Sequence, residues 1–260
     1  MEPHRNNLRE ARKTYSACAN KIEQHITTQG LTPVLSTQVI GIGIACEWLS
    51  RASGMEEIKY IGEVKQKSKT NDLFLELLRF NFSWFAVNAI YGREELLPLL
   101  GTPPTDNGEY LKFKFLYDTA SLTTAPTRLI RLHELLNKEV TTRLPNLLTP
   151  RAQLLKKKNE KEAPPIITLK AISLKYLPRI NSAIDTAIRQ AVQQNDARSL
   201  DMPTLLYSFR NWSVHGSTLH GCFGSRPGFY EYVCLLQETL AEVHKETATK
   251  LEKKLEEQFK

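Results

Sequence analysis

The chain has only four cysteines in 260 residues, Cys18, Cys46, Cys222 and Cys234, and no two of them form a CxxC pair. That spacing suits neither a disulfide framework nor a zinc ribbon, so the thiols are expected to be reduced and mostly buried. Long hydrophobic runs are also missing. The nearest to the roughly 18 to 20 apolar residues of a membrane span lies at 34–49 and is interrupted by Ser36, Thr37, Gln38 and Glu47. Arg5, Arg9 and Arg12 surround Glu10 near the start and lead into no apolar core, which is not the pattern of a secretory signal. The expectation is a soluble protein with a cytoplasmic location and no membrane partner. Strand signal is scarce: residues 110–116 alternate briefly and are expected to form a short extended segment. Gly41-Ile42-Gly43 lacks the third glycine of a dinucleotide loop, and neither Ser213 nor Ser217 sits in a Gly-x-Ser-x-Gly elbow.

What is present is helical periodicity. A 41% hydrophobic composition over this length supports one substantial core, or a core with an appended subdomain. Leu73, Leu77, Phe80, Trp84, Val87 and Tyr91 recur at spacings of three and four, a stripe along one helix. This aromatic stripe fits core better than a base-stacking surface. Residues 127–144 and 166–194 repeat the pattern, the second broken by Pro178. A shorter helix is expected over 202–215, with Asp201 as N-cap and Pro203 in its first turn. A last one is expected over 229–255, with the charged end, 250–260, projecting or fraying. Two turn- and charge-rich stretches, 101–108 and 145–165, read as loops within a helical array. Residues 1–69 are expected to be an N-terminal helical extension and 70–260 the main helical domain. The formal charge of +7 eases encounter with a polyanion without fixing the fold.

The chemistry-bearing stretch is Phe209-Arg210-Asn211-Trp212-Ser213-Val214-His215-Gly216. Arg keeps its charge and can fork two hydrogen bonds onto phosphate oxygens, while His moves protons near neutral pH, a pairing that serves phosphate chemistry without a metal. At ~100° per residue, Asn211 and His215 share a helix face and Arg210 sits ~140° away from His215, so Arg210 must reach. Asn211 is placed to orient the imidazole or to bind a phosphate oxygen. The glycine-rich loop 216–228 follows, carrying His220, Cys222 and Arg226. A zinc site from His215, His220 and Cys222 matches no structural zinc module. The remaining histidines, His4, His25, His133 and His244, show no accompanying pattern and read as surface or ordinary helix residues. The plain structural alternative makes Arg210 a partner for a carboxylate of the last helix and His215 a cation at a helix C-terminus.

Arg210, Asn211 and His215, followed by Gly216, resemble the motif of the HEPN superfamily. Its ribonuclease members carry an Arg, a polar residue that is often Asn, and a His four to six residues after the Arg. The stretch 80–92 is similar to the first core helix of such domains, and the resemblance covers about residues 70 to 250. It implies an all-α, HEPN-like up-and-down bundle and a metal-independent endoribonuclease with no cofactor, working as a homodimer whose motif helices share a cleft. Arg210, Asn211 and His215 would be its catalytic residues. Products would be a 2′,3′-cyclic phosphate and a 5′-hydroxyl, from RNA alone. Arg226, His220 and the lysine run Lys156, Lys157 and Lys158 are the expected contacts to RNA, although the run equally suits a solvated linker. The resemblance also implies a toxin or antiviral defence role, with an antitoxin or defence-complex protein as partner. A non-catalytic nucleotide- or protein-binding module on the same fold is the alternative.

Overall fold

Three residues, Gly30 to Thr32, end one helix and start the next. Helix α1 (Pro3–Gln29) closes on Gly30 at φ +92°, whose N–H donates to the Ile26 carbonyl at 2.8 Å. A residue without Cβ takes that left-handed conformation at no steric cost. Thr32 then caps α2 (Pro33–Gly54): its hydroxyl accepts from the Leu35 N–H at 3.2 Å, and Pro33 fills the first turn. The computed structural model describes residues 3–56, 68–106, 108–139, 196–215 and 227–260, with the backbone alone at 3, 68–71, 136–139, 212, 214–215 and 227–229.

The remaining helices are α3 (Ser68–Tyr91), α4 (Leu97–Leu100), α5 (Glu109–Ala120), α6 (Ala125–Glu139), α7 (Met202–His215) and α8 (Pro227–Gln258), with a 3-10 turn at Ala197–Ser199. No strand occurs among the described residues, and the class is all-α, as the periodicity implied. The helix expected over 166–194 lies outside the described residues. So does most of the loop after α7.

Two compact units divide the chain, Met1–Thr123 with Leu236–Lys260, and Thr124–Leu235. In the first, α1 packs on α2 and α2 on α3. Gly41 permits the close approach of α2 to the residues ending α3: a Cβ there would stand 2.9 Å from the Arg93 side chain and 3.2 Å from the Ala89 carbonyl. Phe80, Trp84, Val87 and Tyr91 are buried, so the stripe is core. Trp84 and Phe113 centre their rings 4.5 Å apart, bringing α5 onto α3.

Three expectations are corrected here. Residues 110–116 are helical, not extended. Tyr110, Phe113, Leu116 and Ala120 are buried at helical spacing, and that set outweighs a brief alternation in which the intervening lysines pair outward, Lys112 with Glu94 and Lys114 with Asp118. The charged end of α8 does not project: Leu251 and Leu255 are buried, Lys21 on α1 pairs with Glu252 and Glu256, and Phe259 stacks on His25 at 4.2 Å. Its charges line the flanks while two leucines, four apart, supply an inner seam. His4, His133 and His244, read as surface or ordinary helix residues, are helix residues but not at the surface: all three are buried.

Those histidines make polar contacts within the core. His4 Nε2 lies 3.2 Å from Glu76, which also binds Arg79, and Arg79 donates to the Met55 carbonyl at the end of α2. Burial alone would raise the Glu76 carboxyl, but His4 and Arg79 outweigh it and hold the pKa below the ordinary value. His244 Nε2 meets the Ser83 carbonyl at 2.8 Å, and Gln237 donates to the Ser83 hydroxyl at 2.9 Å, which together fix α8 on α3. Burial pushes the His244 pKa down to about 4, against a smaller opposing effect of its bond to Ser83.

Candidate functional site

Helix α7 is built as its residues require. Asp201 caps it, Oδ1 accepting from the Thr204 N–H at 2.9 Å, and Pro203 stands in the first turn where no N–H is needed. Ahead of it Asp196 caps the 3-10 turn, and the Leu200 carbonyl meets buried His133 of α6 at 2.7 Å. Met202, Leu205, Leu206 and Phe209 are buried, and Phe209 meets Tyr232 edge-on at 5.8 Å. Arg131 on α6 grips both oxygens of Glu231 at 2.6 and 3.1 Å, and Glu134 at 2.9 Å, tying α6 to the start of α8. These contacts fix α7 within the second unit.

Its apolar side is thereby committed inward, and Arg210 and Asn211 fall at the partly exposed boundary. The Arg210 Nη1 donates to Asn211 Oδ1 at 2.7 Å, and the guanidinium carbon lies 5.7 Å from the centre of the buried Tyr207 ring. Ser213 donates to the Arg210 carbonyl at 3.1 Å, three residues back along the helix. The Asn211 amide oxygen thus holds the arginine, a contact beside the two roles read from the sequence, orienting the imidazole or binding a phosphate oxygen. Tyr207 was not anticipated. An aromatic residue three before an arginine on a helix is the signal that could have found it, since those positions share a face.

His215 is the last residue of α7. Its backbone places it one turn beyond Asn211, while its side chain lies outside what is described. Arg226, His220, Lys156, Lys157 and Lys158 fall outside the described residues, as do Cys222 and the imagined zinc set. Among the described residues, no group of three or more His, Cys, Asp or Glu side chains could hold a metal ion.

What the described part can do is hold an anion against a permanently charged fork, steadied by an amide and an aromatic face. Cysteine chemistry is not favoured in the first unit. Burial raises the Cys18 thiol to about 12 and the Cys46 thiol to about 11, so both stay protonated at neutral pH, including Cys46 in the open groove it lines with Arg12, Lys13 and Ser50. No family model, curated protein or solved structure matches this chain.

Proposed function

We propose that the chain is a metal-independent endoribonuclease of HEPN type, built on a HEPN-like bundle and working as a homodimer. The observation that carries the reading is the placement of Arg210 and Asn211, hydrogen-bonded to each other on a partly exposed stretch of α7, with His215 closing the same helix four residues later. The ribose 2′-oxygen attacks phosphorus while its proton passes to a base. The bond from phosphorus to the 5′-oxygen breaks, and an acid returns a proton to that oxygen. Positive charge steadies the phosphorane-like transition state.

One motif offers one imidazole. Two motifs related by a two-fold axis offer a base, an acid and two guanidinium groups, which is the chemical reason for a dimer. Arg210 binds the scissile phosphate, His215 exchanges the protons, and Asn211 holds Arg210 in place. Arg226, His220 and Lys156 to Lys158 extend the RNA path, in keeping with a net charge of +7. A toxin or antiviral defence role, restrained by a partner protein, follows from the resemblance alone.

The test is RNA cleavage in the presence of a chelator. The unaltered protein is expected to release 2′,3′-cyclic phosphate ends and to leave DNA intact, and His215→Ala to lose about 10²- to 10⁴-fold in rate. RNA binding with no cleavage by any form would instead support the non-catalytic module. Cleavage that needs added magnesium or zinc would end the metal-free reading.

A further inference from the structure

Arg12, Lys13 and Ser16 fall within about one turn of α1, and Cys46, Glu47 and Ser50 within about one turn of α2. Where the two helices pack, these residues line an open groove of about 480 Å³. Its walls are joined by contacts from one helix to the other. Arg12 donates to the Ser50 hydroxyl at 3.0 Å, and the Cys46 thiol donates to the Arg12 carbonyl at 3.6 Å.

Donors outnumber acceptors in this groove. Arg12 engages one N–H, and with a hydroxyl rather than a carboxylate. Its other N–H groups, the Lys13 ammonium and the hydroxyl protons of Ser16 and Ser50 meet no protein acceptor among the described residues. Glu10 and Glu47, the acids of this part of α1 and α2, are engaged with other cations: Glu10 with Lys245 at 2.8 Å, and Glu47, on the groove wall, with Arg51 at 2.5 Å. A wall of donors with two cations among them matches an acceptor-rich anion.

We propose that the α1/α2 groove binds the phosphate group of a small phosphate monoester, a site independent of the ribonuclease reading. Such a group carries about −1.5 to −2 charges near neutral pH and offers three acceptor oxygens, which suits the Arg12 and Lys13 cations together with the Ser16 and Ser50 hydroxyls. A carboxylate has a single charge and two oxygens in one plane, so the Arg12 fork alone would satisfy it and leave Lys13 and both hydroxyls unused. A nucleic-acid strand brings bases that stack on rings, and no aromatic side chain is among the described residues lining the groove. The volume lies within the range of small-molecule sites and exceeds what a phosphate group fills, which leaves room for the carbon skeleton that carries it.

The experiment is titration calorimetry on the full chain at about pH 7.5 and about 0.1 M chloride. The probes are glycerol 3-phosphate, inorganic phosphate and a 5′-hydroxyl RNA oligonucleotide, whose phosphates are all diesters. Glycerol 3-phosphate is expected to bind with a Kd of about 1 mM or below. Arg12→Gln and Lys13→Gln, measured separately with their helical circular dichroism, are each expected to weaken it about tenfold. Glu47→Gln, which removes an acid from the wall, is expected to tighten it about two- to fivefold, a gain that misfolding does not produce. The proposal is overturned if the ester does not bind at about 10 mM, or if its affinity ignores all three changes in folded protein. Binding of inorganic phosphate with the ester excluded would also overturn it, in favour of the free ion. So would RNA binding that needs Arg12 and Lys13 while the ester stays unbound, which would make the groove a path for the strand.

Discussion

The first unit and helix α7 treat an arginine in opposite ways. Arg79 is buried, tied to Glu76 and to a backbone carbonyl, and its charge serves to hold α1, α2 and α3 together. Arg210 sits partly exposed and is steadied by the amide oxygen of Asn211 and the ring of Tyr207. Desolvating a charge is costly unless it is matched, so a matched and sealed cation is an architectural part. One held at the surface by an amide and a ring is suited to meeting a ligand.

The largest effect should come from cutting each arginine out of its role. Glu76→Ala removes the carboxylate that Arg79 and His4 share in the interior and should cost about 3 to 5 kcal/mol, read as a lower urea midpoint with an unchanged slope. Arg210→Ala should cost only about 1 kcal/mol of stability while abolishing cleavage. The comparison breaks if Arg210→Ala destabilises as much as Glu76→Ala.

Acid should separate the regions next. In the unfolded chain His244 titrates near its ordinary pKa of 6.5, whereas in the folded protein burial holds it down to about 4. Between those values the unfolded chain binds the extra proton, so stability is complete above about pH 6.5 and drains as pH falls toward 4, by about 3 kcal/mol. Glu76, held below its ordinary value, adds a further loss beneath the usual carboxylate range. Unfolding midpoints measured from pH 7 down to 4 should fall for the unaltered chain, and the decline should flatten in His244→Gln. An equal slope in both proteins would mean that His244 does not carry the acid response.

The elements of α7 were legible in the sequence, and the reasons are local. Asp201, Pro203 and the spacing of Leu205, Leu206 and Phe209 specify cap, first turn and buried side without help from distant residues. The α3 stripe was legible for the same reason. Residues 110–116 were misread because alternation over so few residues fits a strand as well as one side of a short helix, and only the docking of Phe113 on Trp84 decides it. The buried histidines were invisible because their partners stand far off in sequence, Glu76 for His4 and Ser83 for His244. The motif itself could be read, but the bond from Arg210 to Asn211 could not: neighbours in sequence point ~100° apart on a helix, and only the length of the arginine side chain lets it turn back.

The smallest effect sharpens the comparison most, because it asks whether the ring beneath Arg210 positions it or merely fills space. Tyr207 is buried, so Tyr207→Phe keeps both the packing and the aromatic face, whereas Tyr207→Leu keeps the apolar bulk and removes the face. A cation over an aromatic ring contributes about 0.5 to 1 kcal/mol at a partly exposed site, which corresponds to a roughly two- to fivefold change in rate. Tyr207→Phe is therefore expected to cleave RNA at the unaltered rate and Tyr207→Leu to lose roughly that factor in kcat/KM, with matching thermal midpoints. A loss that tracks the midpoint instead would make the ring part of the same sealed architecture that holds Arg79.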